Sequence, residues 1–141
     1  MSLEDEKRLQ SVLIECAAAG LLKSAHDCSD GGIAVALAEC CIGTGNELIG
    51  AEIELAGEGL RSDFLLFGED QSRAVVSASK ASGHAVMEIA RRNHIPAAVI
   101  GRVGRDRLTI GKEIDLPVNA IADAYTHAIG ERMEREESGL F

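Results

Sequence analysis

Asp27, Ser29, Asp30, Gly31 and Gly32 stand almost side by side in SAHDCSDGGIAVALAE, residues 24–39. Gly31-Gly32 opens a helical pattern. The first turn of a helix leaves backbone amides unpaired, and the helix dipole favours an anion there. Two glycines would let a phosphate approach those amides closely. Neither G-x-x-x-x-G-K-[ST] nor G-x-G-x-x-G is present, however. Asp27 and Asp30 also bring negative charge, which repels a bare phosphate at contact distance. Mg2+ held between those carboxylates and a phosphate would reverse that sign. The other reading needs no ligand: Ser29 or Asp30 is the N-cap, and its side-chain oxygen satisfies the free amides. The residues alone leave both readings open. His26, Asp27 and Ser29 have the types of a Ser-His-Asp relay, but they are too crowded along the chain for relay geometry.

A strand must deliver this turn and a helix must carry it away. Leu9, Val12, Leu13, Cys16 and Ala17 recur at helical spacing and predict a helix over 4–19, with Gly20 as its stop. Residues 22–27 predict a short strand, and 31–43 a helix ended by the loop Gly43-Thr44-Gly45-Asn46. That helix is apolar nearly all round, with Glu39 its one charge, so it is expected to be buried on more than one side. LIGAEIEL (48–55) alternates, with Ile49, Ala51, Ile53 and Leu55 on one face of a half-buried strand. Residues 57–70 predict a short helix closed by Gly68, 72–79 a strand, and 80–93 a helix with Val86, Ile89 and Ala90 on one face. PAAVIGRVG (96–104) and RLTIG (107–111) predict a hairpin turning at Gly104-Arg105-Asp106. Residues 121–135 predict a last helix. Helices alternating with strands, with one late hairpin, give an α+β fold: a mixed β-sheet of about four or five strands flanked by helices. Residues 1–3 are expected to lie outside the fold, 4–135 to form a single domain and 136–141 a frayed tail.

Composition bounds the function. The chain has 141 residues, 46% apolar and 26% charged, with three Phe, one Tyr and no Trp. Its core must therefore be aliphatic. A net charge of −9 argues against a nucleic-acid backbone as partner, and the stacking aromatics of single-strand binders are missing. No apolar run approaches the roughly 20 residues of a membrane span, and no basic-then-apolar signal opens the chain, so a cytoplasmic protein is expected. Cys16, Cys28, Cys40 and Cys41 contain no C-x-x-C pair. They read as small apolar thiols in a reducing compartment rather than as zinc ligands. His94 is read as complementing a helix C-terminus and His127 as a surface residue of a helix.

Three stretches carry a family resemblance. SAHDCSDGGIAVALAE, LLFGEDQSRAVVS (65–77) and IPAAVIGRVGRDRLTI (95–110) resemble, in order, the C-terminal domain of the synthetase subunits of phosphoribosylformylglycinamidine synthase. Within the family's two tandem halves, the piece is most similar to the last domain of the second half. The resemblance implies the fold shared with AIR synthetase, partly ferredoxin-like. It implies an ATP- and Mg2+-dependent ligase that converts formylglycinamide ribonucleotide to its amidine with glutamine-derived ammonia. The implied partners are N-terminal synthetase domains of the same chain and a glutaminase subunit or domain. The isolated domain is expected to be inactive. A non-catalytic packing domain is the alternative, as is the matching domain of a cousin such as AIR synthetase, selenophosphate synthetase or thiamine-monophosphate kinase.

In the first half of such enzymes a loop of the equivalent domain contacts substrate; its matching positions here are Glu69, Asp70 and Gln71, in the half that the resemblance does not expect to hold the reaction centre. Asp70 stands where Ser is usual, Ser72 where Gly is common, and Arg105 replaces a Gly in the expected hairpin. The His and Lys that do chemistry in the family lie in its N-terminal domains, and no catalytic residue is assigned here. The expected nucleotide, phosphate or substrate edge comprises Asp27, Ser29, Asp30, Gly31, Gly32, Glu69, Gln71 and Arg73. Gln71 and Arg73 carry donors for a phosphate or sugar, and Asp27, Asp30 and Glu69 are the expected Mg2+ ligands. The plainer reading pairs Glu69 with Arg73 merely to fix the loop.

Overall fold

The computed structural model describes residues 2–43, 48–57 and 59–137. They form helices α1 (Leu3–Ala18), α2 (Gly32–Ile42), α3 (Ser62–Phe67), α4 (Lys80–Arg92) and α5 (Val118–Glu137). The strands are β1 (Leu22–Asp27), β2 (Ala51–Ile53), β3 (Ala74–Ala78), β4 (Gly101–Val103), β5 (Arg107–Ile110) and β6 (Ile114–Pro117). The chain divides into two compact units, one from residues 1–40 and 55–100, the other from 41–54 and 101–141.

In the first unit the amphipathic spacing of α1 and α4 does what it predicts. Val12 and Cys16 of α1 bury against Ile89 and Ala90 of α4, with Leu21, Leu22, Val86 and Ile95 packed around them. Both helices end in the same motif. Gly20 is left-handed (φ 65), its amide bonds to Ala17 O, and Leu21 N bonds to Cys16 O. His94 is left-handed as well (φ 56), its amide bonds to Arg91 O, and Ile95 N bonds to Ala90 O. These are Schellman closures, in which the residue after the left-handed one folds back onto the core. His94 thus ends α4 through its backbone. Ser2, expected outside the fold, accepts a hydrogen bond from Glu4 N and caps α1, and Leu3 opens the helix.

Within this unit β1 and β3 pair antiparallel, with Asp27 opposite Ala74 and His26 opposite Val75. They were expected to join one mixed sheet; among the described residues they pair only with each other. α2 is buried along Ile33, Ala34, Ala36 and Leu37, as its apolar character requires.

The mixed sheet lies in the second unit, in the order β4-β2-β5-β6. β2 runs antiparallel to β4 and parallel to β5. The expected β4–β5 hairpin is therefore not formed, because β2 lies between its arms. Gly50, just before β2, explains how. Its amide bonds to Arg105 O and its carbonyl accepts from Gly104 N, both at 2.8 Å, so the short connection crosses the end of β2. A Cβ on Gly50 would lie 2.2 Å from Arg107 O, so only glycine fits there. Arg105, where the resemblance expects Gly, is left-handed (φ 65). The tight hairpin is instead β5–β6, turning at left-handed Gly111. β6 went unpredicted because IDLP is short and runs straight into α5. Ala51, Ile53, Leu108 and Ile110 form the buried face of the sheet.

Thr44, Gly45 and Asn46 of the expected loop lie outside the described residues, as do 138–141 of the expected tail; residues 136 and 137 continue α5. Among the described residues no helix is long and apolar enough to cross a membrane.

Candidate functional site

The antiparallel register builds the site. Asp27, the last residue of β1, lies opposite Ala74, the first of β3. The turn leaving β1 and the loop entering β3 must then run side by side. Cys28 N donates to Arg73 O at 3.0 Å and ties them together. Residues 38 apart in sequence meet one step further on: Gly31 N donates to Glu69 Oε1 at 2.9 Å.

Glycine permits this approach. Gly31 and Gly32 are both left-handed, with φ of 76 and 67. A Cβ on Gly32 would come within 2.8–2.9 Å of Leu66 O, Phe67 C and Gly68 O, so the backbone leading to Glu69 lies directly on Gly32. An L-residue there would be strained in φ and would also strike main chain that cannot swing aside.

The cap expected from Ser29 or Asp30 is not formed. The Gly32 amide closes onto Ser29 O at 3.1 Å, and the Gly31 amide takes the Glu69 carboxylate. Among the described residues the side chains of Ser29 and Asp30 make no hydrogen bond. The anion at the start of α2 is thus the chain's own, supplied from another loop. The expected Glu69–Arg73 pair is not made either. Arg73, half-buried, lies 3.7 Å from exposed Asp70, a long contact worth little.

Two partnerships have no local signal in the sequence. Ser72 is left-handed (φ 62), and its hydroxyl donates to Glu6 Oε2 of α1 at 2.5 Å. Gln10 donates to the other oxygen, Glu6 Oε1, at 2.9 Å. These two hydrogen bonds, Ser72 first, hold the Glu6 carboxyl below its ordinary range. The signal was the departure of Ser72 from a position where glycine is common, but nothing local named its partner. Glu39, noted only as the one charge of α2, lies 3.2 Å from His26 Nε2. The other ring nitrogen of His26 is 2.7 Å from Asp27 O. Both nitrogens are engaged away from Ser29, so no relay exists.

Cys28 is buried, and burial pushes its thiol up; Cys40 is raised by burial first and then by Cys28 and Glu39. Neither behaves as a poised nucleophile. Beside the turn, Leu13, Ala25, His26, Asp27 and Ala74 line a shallow concavity of about 300 Å3. Among the described residues no three His, Cys, Asp or Glu side chains gather as a metal cluster. Asp27, Asp30 and Glu69 therefore do not fit a protein-built Mg2+ cage, and one Glu69 oxygen is already spent on Gly31.

Comparison with known proteins gives this geometry a context. The family "AIR synthase related protein, C-terminal domain" matches residues 1–112. A phosphoribosylformylglycinamidine synthase subunit PurL from Moorella thermoacetica is 46% identical over 110 residues, which cover 78% of this chain and 14% of that protein. Among solved structures, a chain described as "T. maritima PurL complexed with FGAR" is similar with a TM-score of 0.70 and 26% identity, over 83% of this chain and 21% of that one. Another, "T. maritima PurL complexed with ATP", gives 0.67 and 27%, over 82% and 21%. The chain thus spans about a fifth or less of these relatives.

Proposed function

For a chain that belongs to the AIR synthase related protein C-terminal domain family, we propose the role of the C-terminal domain in a phosphoribosylformylglycinamidine synthase synthetase subunit. In this reading the full-length protein is an ATP-dependent C–N ligase of purine biosynthesis. It joins glutamine-derived ammonia to formylglycinamide ribonucleotide and works in the cytoplasm. Its partners are N-terminal synthetase domains and a glutaminase subunit or domain. The domain alone is inactive; its task is to supply one edge of a nucleotide cleft.

That edge is the paired turn and loop: Asp27, Ser29, Asp30, Gly31 and Gly32 on one side, Glu69, Gln71 and Arg73 on the other. The observation carrying the proposal is the Gly31–Glu69 hydrogen bond, which makes two separate segments one surface. Gln71 and Arg73 supply donors to a phosphate or sugar. Arg73 is half-buried and its contact with Asp70 is long, 3.7 Å, so a phosphate could take its place. A phosphate arriving at α2 meets Glu69 already at the helix start, so it needs a counter-cation. Mg2+ is accordingly expected to come with the nucleotide, which matches its usual reliance on phosphate oxygens.

Titration of the chain with Mg-ADP, followed by amide chemical shifts, tests the reading. Gly31, Gly32 and Gln71 are expected to move together along one saturation curve. No movement at millimolar Mg-ADP, or movement confined to one segment, would overturn it.

A further inference from the structure

We propose that Glu6, on α1, is a positioning residue for the Glu69–Arg73 loop. The proposal rests on the reading of that loop as a ligand edge, although its geometric core can be tested without a ligand.

The loop is fixed by backbone at its two ends. Gly68 N bonds to Phe64 O, and Arg73 O accepts from Cys28 N. Between them Ser72 holds a left-handed φ of 62, a conformation strained for an L-residue unless its surroundings hold it. The Ser72 hydroxyl bond to Glu6 Oε2 is the tether that reaches this residue from α1. Gln10, one turn further along α1, donates to Oε1 and fixes the carboxylate's orientation. Glu6 lies 66 positions from Ser72 in sequence, yet it closes the loop three residues after Glu69. Glu69 in turn closes onto Gly31. The path runs from α1 through the Glu6–Ser72 bond, back along three residues of loop backbone to Glu69, and across to Gly31, so α1 sets where the ligand-facing donors stand. A serine at a position suited to glycine becomes useful because it has a hydroxyl to tether, which glycine lacks.

Hydrogen exchange of the Gly31 amide reads this directly, because that amide touches neither Glu6 nor Ser72. Glu6→Ala and Ser72→Ala are each expected to speed Gly31 exchange about tenfold while the Ile89 amide in the core keeps its rate. The double variant should be no faster than either single one, because both remove the same tether. Glu6→Gln, which keeps an acceptor oxygen, should recover most of the protection. Unchanged Gly31 exchange in both alanine variants would overturn the proposal. Equal acceleration at Ile89 would do the same, since Glu6 would then serve only overall stability. Mg-ADP titration of the same proteins separates the two readings. A tethered ligand edge predicts several-fold weaker binding in Glu6→Ala. A wild-type chain blind to Mg-ADP would sink the ligand reading and leave the tether to be judged by exchange alone.

Discussion

Helices α4 and α2 begin in opposite ways. α4 is capped by its neighbour in sequence: the Ser79 hydroxyl accepts from Ser82 N at 3.1 Å. α2 is capped by Glu69, 38 residues away, while the Ser29 and Asp30 beside it make no such bond. A local cap stabilises one helix and nothing else. A cap delivered by another loop couples two segments, so whatever moves Glu69 is felt at Gly31. The first arrangement belongs to a structural helix, the second to a surface whose parts must stay in register.

The same substitution should have opposite signs in the two helices. Gly32→Ala puts a methyl into left-handed backbone and onto the main chain of residues 66–68. We expect a loss of about 3 kcal/mol in urea unfolding, summing strain and overpacking. Gly83 of α4 has open space where its Cβ would be and an ordinary helical φ. Gly83→Ala should gain about 0.5–1 kcal/mol. If Gly32→Ala were neutral, the close approach of loop and helix would be wrong.

Removing each cap should cost less and leave different fingerprints. Ser79→Ala is expected to lose about 1 kcal/mol with exposure confined to the first turn of α4. Glu69→Ala should cost a similar amount, about 1 kcal/mol, but shift amides on both α2 and the 69–73 loop. Changes restricted to one segment in Glu69→Ala would dissolve the contrast.

A smaller effect follows from pH. Glu6 is held below its ordinary value in the folded chain by Ser72 and Gln10. Its contribution to stability is therefore present above the unfolded carboxylate range and lost as pH falls through the lowered folded value. The difference in unfolding midpoint between wild type and Glu6→Gln should shrink over that acidic window and stay constant above it. A difference that grows on acidification would contradict the tether.

These contrasts also mark what the sequence could tell. The packing faces of α1 and α4 were legible because apolar spacing follows helix period, as Val12, Cys16, Ile89 and Ala90 show. Gly20 marks its Schellman turn in sequence; His94, read as complementing the helix C-terminus, makes the same turn through its backbone without glycine. The β4–β5 hairpin expected from sequence is not formed: a short Gly-containing link looks the same whether its strands touch or admit a third. Only Gly50 and the register of β2 reveal the insertion. At the candidate site the structure shows partners that local spacing does not point to. Local spacing pairs Glu69 with Arg73 and gives the cap to Ser29 or Asp30, whereas Glu69 reaches Gly31. Local rules favour near neighbours, whereas the β1–β3 register brought distant ones closer.

The most direct test compares Gly31 amide exchange in the wild type, Glu69→Ala and Asp30→Ala. Glu69→Ala should accelerate it about tenfold, the scale of one lost hydrogen bond, while Asp30→Ala leaves it unchanged. If Asp30→Ala accelerates exchange and Glu69→Ala does not, α2 is capped locally and the two segments form no common edge.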